Sequence, residues 1–123
     1  MKKRVLNPER LRKVPPQFSW IDHRLVQEHY FTRCDHSAWT LYLFLVSVAD
    51  AEGLSYYSDA SLIRRLNMDG LQLSASRGQL LVAGLIAYEK PLYQVLNLAP
   101  VEPARSGPTS VAQILRKAMG EQP

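Results

Sequence analysis

The chain has 123 residues, 46% hydrophobic and 21% charged, enough for one domain with a real core and too few for a second domain beside it. No apolar run approaches the roughly 18 residues of a membrane helix, the basic start MKKRVLNPER lacks a signal-like apolar stretch, and the single Cys34 cannot form an internal disulfide; a cytoplasmic protein with no membrane partner is expected. The net charge of +4 is concentrated at one end: residues 1–13 carry Lys2, Lys3, Arg4, Arg10, Arg12 and Lys13 against Glu9 alone, a net of +5, and the rest of the chain sums to −1.

Residues 1–18 read as a basic, flexible arm, which Pro15 and Pro16 bias toward extended backbone. A domain follows over 19–98. Ser19 and Asp22 suit a helix start, and Leu25, Val26, His29 and Tyr30 recur at helical spacing, predicting a first helix over Ile21–Arg33. Asp35 or Ser37 caps a second helix from Ala38 to about Ala51, which Gly53 terminates. Its sequence AWTLYLFLVSVA is apolar at almost every position, so it must be covered on more than one side. The first helix and the rest of the domain supply that cover; dimerisation through this helix is the alternative.

LSYY after Gly53 is a short β-like run, and Ser58-Asp59 caps a helix whose buried stripe is Leu62, Ile63 and Leu66. Asn67 stands where a left-handed turn is needed. Met68 plugs that turn, and Asp69 caps the next helix, with Leu73, Ser76 or Arg77, Leu80 and Leu85 inward. Gly84 ends it before a strand at Ile86–Glu89, and the Lys90-Pro91 corner returns the chain as LYQVLNL. Residues 99–108 have the Pro, Gly and Ser content of a linker. Within 109–123, Val111, Ile114, Leu115, Ala118 and Met119 form one face of a short amphipathic helix behind Thr109 or Ser110. That helix either straps back onto the domain or binds a partner.

The segment LNMDGLQLSASRGQLLVAGLI, with Leu66, Asp69, Leu73, Leu80, Gly84, Leu85 and Ile86 in register, resembles the core of winged helix-turn-helix regulators and of plasmid and phage replication initiators. The resemblance implies a mainly α fold with a small β-hairpin or sheet, a winged helix-turn-helix carrying an extra N-terminal helix. It also implies duplex DNA as partner, with the helix opening at Asp69 in the major groove. Carried over residue by residue, the groove-facing positions are Gly70, Leu71, Gln72, Ser74, Ala75 and Gly78, of which Gln72 alone has a bidentate amide and Ser74 a hydroxyl. Arg77 falls on a position usually apolar, where its stem packs and its head snorkels toward phosphate. Arg64, Arg65 and Lys90 are further phosphate-contact candidates, beside the arm.

Leu71, Ala75, Gly78 and Val82 form an apolar, small-residue stripe at spacings of three to four. Three readings stand: part of the stripe is buried, it is an interface to another copy or another protein, or it enters the groove with Gln72 and Ser74 as readers. The leading function is therefore a non-enzymatic DNA-binding protein, a regulator or an accessory of mobile-element replication or transposition. The alternative is a protein-interaction adaptor on the same scaffold.

Catalytic and cofactor signatures are missing from the sequence. His23, His29, Cys34 and His36 are close in sequence, but no C-x2-C pair joins them, and His23 and His29 fall on different faces of the expected helix. No metal or cofactor is expected. There is no G-x-S-x-G elbow and no phosphate-binding glycine loop, so an enzyme is not expected. Tyr42, Tyr56, Tyr57, Tyr88 and Tyr93 lie in apolar runs, which suits packing better than the stacking of single-stranded bases.

Overall fold

The computed structural model describes residues 2–98; the expected linker and C-terminal helix lie outside the described residues. In chain order the elements are α1 (Arg24–Gln27), α2 (His36–Val48), β1 (Leu54–Tyr56), α3 (Asp59–Leu66), α4 (Gly70–Val82), β2 (Ile86–Glu89) and β3 (Leu92–Val95). The three strands form an antiparallel sheet in the order β1-β3-β2. This mainly helical architecture with a small sheet is compatible with a winged helix-like fold. No helix among the described residues is long and apolar enough to cross a membrane.

The first helix departs from expectation. In place of one helix over Ile21–Arg33 there is a single α-turn, α1, and a 3-10 turn at Tyr30–Thr32, separated by His29 in the left-handed region at φ 61°. Asp22 starts α1: its carboxylate accepts the Arg24 backbone N–H at 2.9 Å and pairs with the Arg24 guanidinium at 2.7 Å. Histidine tolerates the left-handed conformation better than most side chains. The reversal buries both Leu25 and Tyr30, which contribute about 1.5–3 kcal/mol each when fully removed from water.

Asp35, not Ser37, caps α2, accepting from the Ala38 N–H at 3.0 Å. The helix ends at Val48, before the expected Ala51. Asp50 explains the early stop: its Oδ1 accepts from the backbone N–H groups of Glu52 and Leu54, both at 2.9 Å, and so holds a turn there. Gly53 therefore serves the sheet and not the helix end. At φ +86° an added Cβ would lie 2.6 Å from the Val95 carbonyl oxygen, whose residue donates its N–H to the Gly53 carbonyl at 2.8 Å.

α2 packs chiefly on α4, and Ala38, Leu41, Tyr42 and Leu45 are its buried residues. On its flanks Trp39 meets Phe31 and Tyr42 edge-on, with centroids 5.0 and 5.4 Å apart, and Phe44 meets Tyr57 at 5.0 Å. It is thus covered on more than one side, as its composition requires, although Leu43 remains exposed.

The turn between α3 and α4 follows its sequence closely. Ser58 accepts from the Ser61 N–H at 3.1 Å, Asn67 is left-handed at φ 55°, and Asp69 accepts from the Gln72 N–H at 2.7 Å. Leu62, Met68, Leu73, Ser76, Leu80 and Leu85 are buried, so Ser76 and not Arg77 takes the fully inward position. In the hairpin Glu89 pairs with Leu92, leaving a turn of only Lys90 and Pro91.

Candidate nucleic-acid interface

Every residue from Lys2 to Trp20 is exposed, and among the described residues of the arm a 3-10 turn at Pro8–Arg10 is the one regular element. Asn7 closes that turn by accepting from the Arg10 N–H at 3.2 Å. Lys2, Lys3, Arg4, Arg10, Arg12 and Lys13 are thus all presented to solvent, and Val5, Leu6, Leu11, Val14, Phe18 and Trp20 are exposed among them.

The polar side chains of α4 turn mostly toward the protein. Gln72 donates from Nε2 to the Ser37 hydroxyl at 2.6 Å, so the one amide expected to reach bases is held at the start of α2. Seven residues on, Gln79 accepts the Asp35 N–H at 2.7 Å and donates to the Asp35 carboxylate at 2.8 Å. The two glutamines lie on one side of α4 and fasten it to the α2 N-terminus. The Gln79 amide, followed by the Ala38 N–H, holds the Asp35 carboxyl below the usual carboxylate range.

Arg77 corrects the expectation of a phosphate contact. Its NH1 donates to Asp59 Oδ1 at 3.0 Å and to the Tyr93 hydroxyl at 2.7 Å, and its guanidinium lies 4.4 Å from the Tyr88 ring centre. Its side chain is 13% exposed, so the head points inward, not out. Burial opposes the charge, but the Asp59 carboxylate and the Tyr93 oxygen outweigh it and leave the guanidinium pKa raised. Burial in turn pushes the Tyr93 hydroxyl up, with Arg77 opposing. This cluster joins α3, α4 and the hairpin and removes one cation from the outer surface.

The apolar stripe is not buried. Leu71 is 85% and Val82 91% exposed, Ala75 is exposed, and Gly78 is half-buried with no atom within 4 Å of the place a Cβ would occupy. Ser74 is exposed on the same helix. Arg33 is the residue that sequence reasoning missed. Its guanidinium stacks 4.0 Å from the Tyr30 ring centre, and the side chain lines a shallow depression with Ala75, Gly78, Gln79, Val82 and Ala83. The left-handed reversal at His29 brings it there, and no local pattern announces that reversal.

Arg64, Arg65 and Lys90 are all exposed. Arg65 is braced by the Ser61 hydroxyl at 3.1 Å and lies 5.7 Å from the Tyr57 ring centre. Lys90 sits at the tip of the two-residue turn, which limits its reach. The Asp69 carboxylate caps α4 and puts negative charge at that helix start, which disfavours an anion there.

Of the tyrosines, Tyr42 and Tyr93 are buried, Tyr57 and Tyr88 half-buried, and Tyr56 alone is exposed. Cys34 is buried, its thiol directed at the Gln79 carbonyl at 3.8 Å, and burial followed by the nearby Asp35 raises its pKa, so the thiolate is disfavoured. His23, His29 and His36 are exposed, and among the described residues no three His, Cys, Asp or Glu side chains are grouped to hold a metal ion.

No protein-family model matches the chain, and no curated protein matches it. Among solved structures it is similar to one described as "Structure of Rep-DNA complex", at 16% identity and a TM-score of 0.48, over 88% of this chain and 91% of that one. A likeness of that degree assigns no role to any residue.

Proposed function

We propose that this chain is a non-enzymatic winged-helix protein that binds duplex DNA, largely through phosphate contacts. The observation that carries the reading is the fully exposed arm, whose six cations face one acidic residue. Cations on an extended segment suit a continuous line of phosphates, and this contact supplies affinity with little sequence information. Arg33 beside α4 and the exposed Arg64 and Arg65 on α3 and Lys90 at the hairpin tip add further positive charge. A role in regulation, or in replication or transposition of a mobile element, follows from the sequence resemblance alone.

A mobility-shift titration with duplex DNA, comparing the full chain with a deletion of residues 1–13, tests the reading. The full chain should bind, and the deletion should bind at least tenfold more weakly. No shift with either protein would sink the proposal.

A second reading is favoured by a different observation, the exposure of Leu71 and Val82. Large apolar side chains left exposed along one helix suit a protein-interaction adaptor, with a second copy or another protein covering α4.

A further inference from the structure

We propose that the amphipathic segment 109–119 docks back into the groove between the root of the basic arm and the end of β3. Phe18 and Trp20 line one side of this groove, the end of α2 and the Asp50 turn another, and Val95 to Leu98 a third; its volume is about 410 Å³. Phe18 and Trp20 are 66% and 70% exposed, and Val46 and Val95 are half-buried. Large apolar side chains left in water along a concave face suit an apolar occupant.

The charge of the groove selects among apolar occupants. Asp22, Asp50 and Glu52 line it, and no lysine or arginine does. Asp22 is paired with Arg24, whereas Asp50 and Glu52 have no cation partner among the described residues. An apolar face with positive flanks therefore fits best. Segment 109–119 has both: Val111, Ile114, Leu115, Ala118 and Met119 recur at helical spacing, and Arg116 and Lys117 stand between them. On a helix those two cations fall to either side of the apolar face, where their long stems can reach an acidic rim.

Connectivity points to the same occupant. Leu98 lines the groove and is 3% exposed, so residues 99–123 leave the described fold from the groove itself. Residues 99–108 span about 17 Å as a coil and about 31 Å when extended, enough for the segment behind them to turn back. A tether of that length holds the segment at a local concentration on the order of 1 mM, so a contact too weak to hold a separate protein is filled within one chain. A helix this short is marginal alone, and the groove supplies the burial that it lacks. Docked, the segment ties the root of the basic arm to the end of the sheet.

Nitrogen-15 relaxation of the full chain, at low and high protein concentration, tests the docking. Backbone order parameters at Ile114 and Leu115 should approach the value of rigid backbone, about 0.85, at both concentrations. Trp20→Ala opens no cavity, because Trp20 is 70% exposed, and it should drop them below about 0.6. Leu115→Asp changes no residue of the described fold; it should have the same effect and shift the Trp20 indole N–H signal while leaving that of Trp39 in place. Order parameters below about 0.6 in the unaltered chain overturn the proposal. Order that survives Trp20→Ala also overturns it, since the segment would then pack elsewhere. Order that appears only at high concentration, with a dimer in sedimentation, overturns docking within one chain and gives the segment to a second copy.

Discussion

Arg77 shows how one side chain can decide what a surface offers. Its guanidinium reaches Asp59 and Tyr93 at 3.0 and 2.7 Å, so α4 loses an outward cation and gains a tie to α3 and the hairpin. Arg77→Met should lower stability by about 1–3 kcal/mol, chiefly the cost of leaving the buried Tyr93 hydroxyl unmatched. Tyr93→Phe should add little in that background, because the bond it removes is already gone. Denaturant unfolding of the two single variants and the double variant checks this; strictly additive losses would contradict the coupling. Ser76 lies nearby at 1% exposure, and its hydroxyl has no hydrogen-bond partner among the described residues. Ser76→Ala removes that group and favours the helix, so it should stabilise the protein by about 1 kcal/mol. A lower Tm would contradict that expectation.

The junction of α2 with α4 is held by polar caps as well as by its core. Asp35 accepts from Gln79 and from the Ala38 N–H, and these bonds depress its pKa. A depressed carboxylate contributes stability above its unfolded pKa, about 3.9, and loses it as pH falls through the lower folded value. Melting temperature should therefore fall below about pH 4. Asp35→Asn keeps a competent cap but has no carboxylate to protonate; its Tm should start lower and fall less steeply. A parallel acid profile for both proteins would contradict the assignment.

These elements also show how much the chain states openly. Ser58, Asn67 and Asp69 act through the backbone of their own neighbourhoods, so the α3–turn–α4 segment and the strand at Ile86–Glu89 are legible in the sequence. The break at His29 and the stop at Asp50 win against a continuing helical pattern because packing of Leu25 and Tyr30, and the turn built on Asp50, outweigh local periodicity. The candidate interface is legible in part. Its arm is plain from composition, and the stripe from spacing. Whether that stripe is covered, where Gln72 and Arg77 turn, and the placement of Arg33 beside α4 all depend on partners distant in sequence.

Taken as a whole, the molecule separates charge from structure. Its basic arm is exposed throughout and carries +5, while the rest of the chain sums to −1. The scaffold presents an apolar helix face with Arg33 at its edge. On the DNA-binding account the arm supplies most of the electrostatic affinity.

The most direct test is the salt dependence of duplex binding for the full chain and for the deletion of residues 1–13. Each phosphate neutralised contributes about −0.9 to the slope of log K against log salt. Six arm cations should make the full chain's slope steeper by about 5. Equal slopes for the two proteins would contradict the claim that the arm tracks the phosphate backbone.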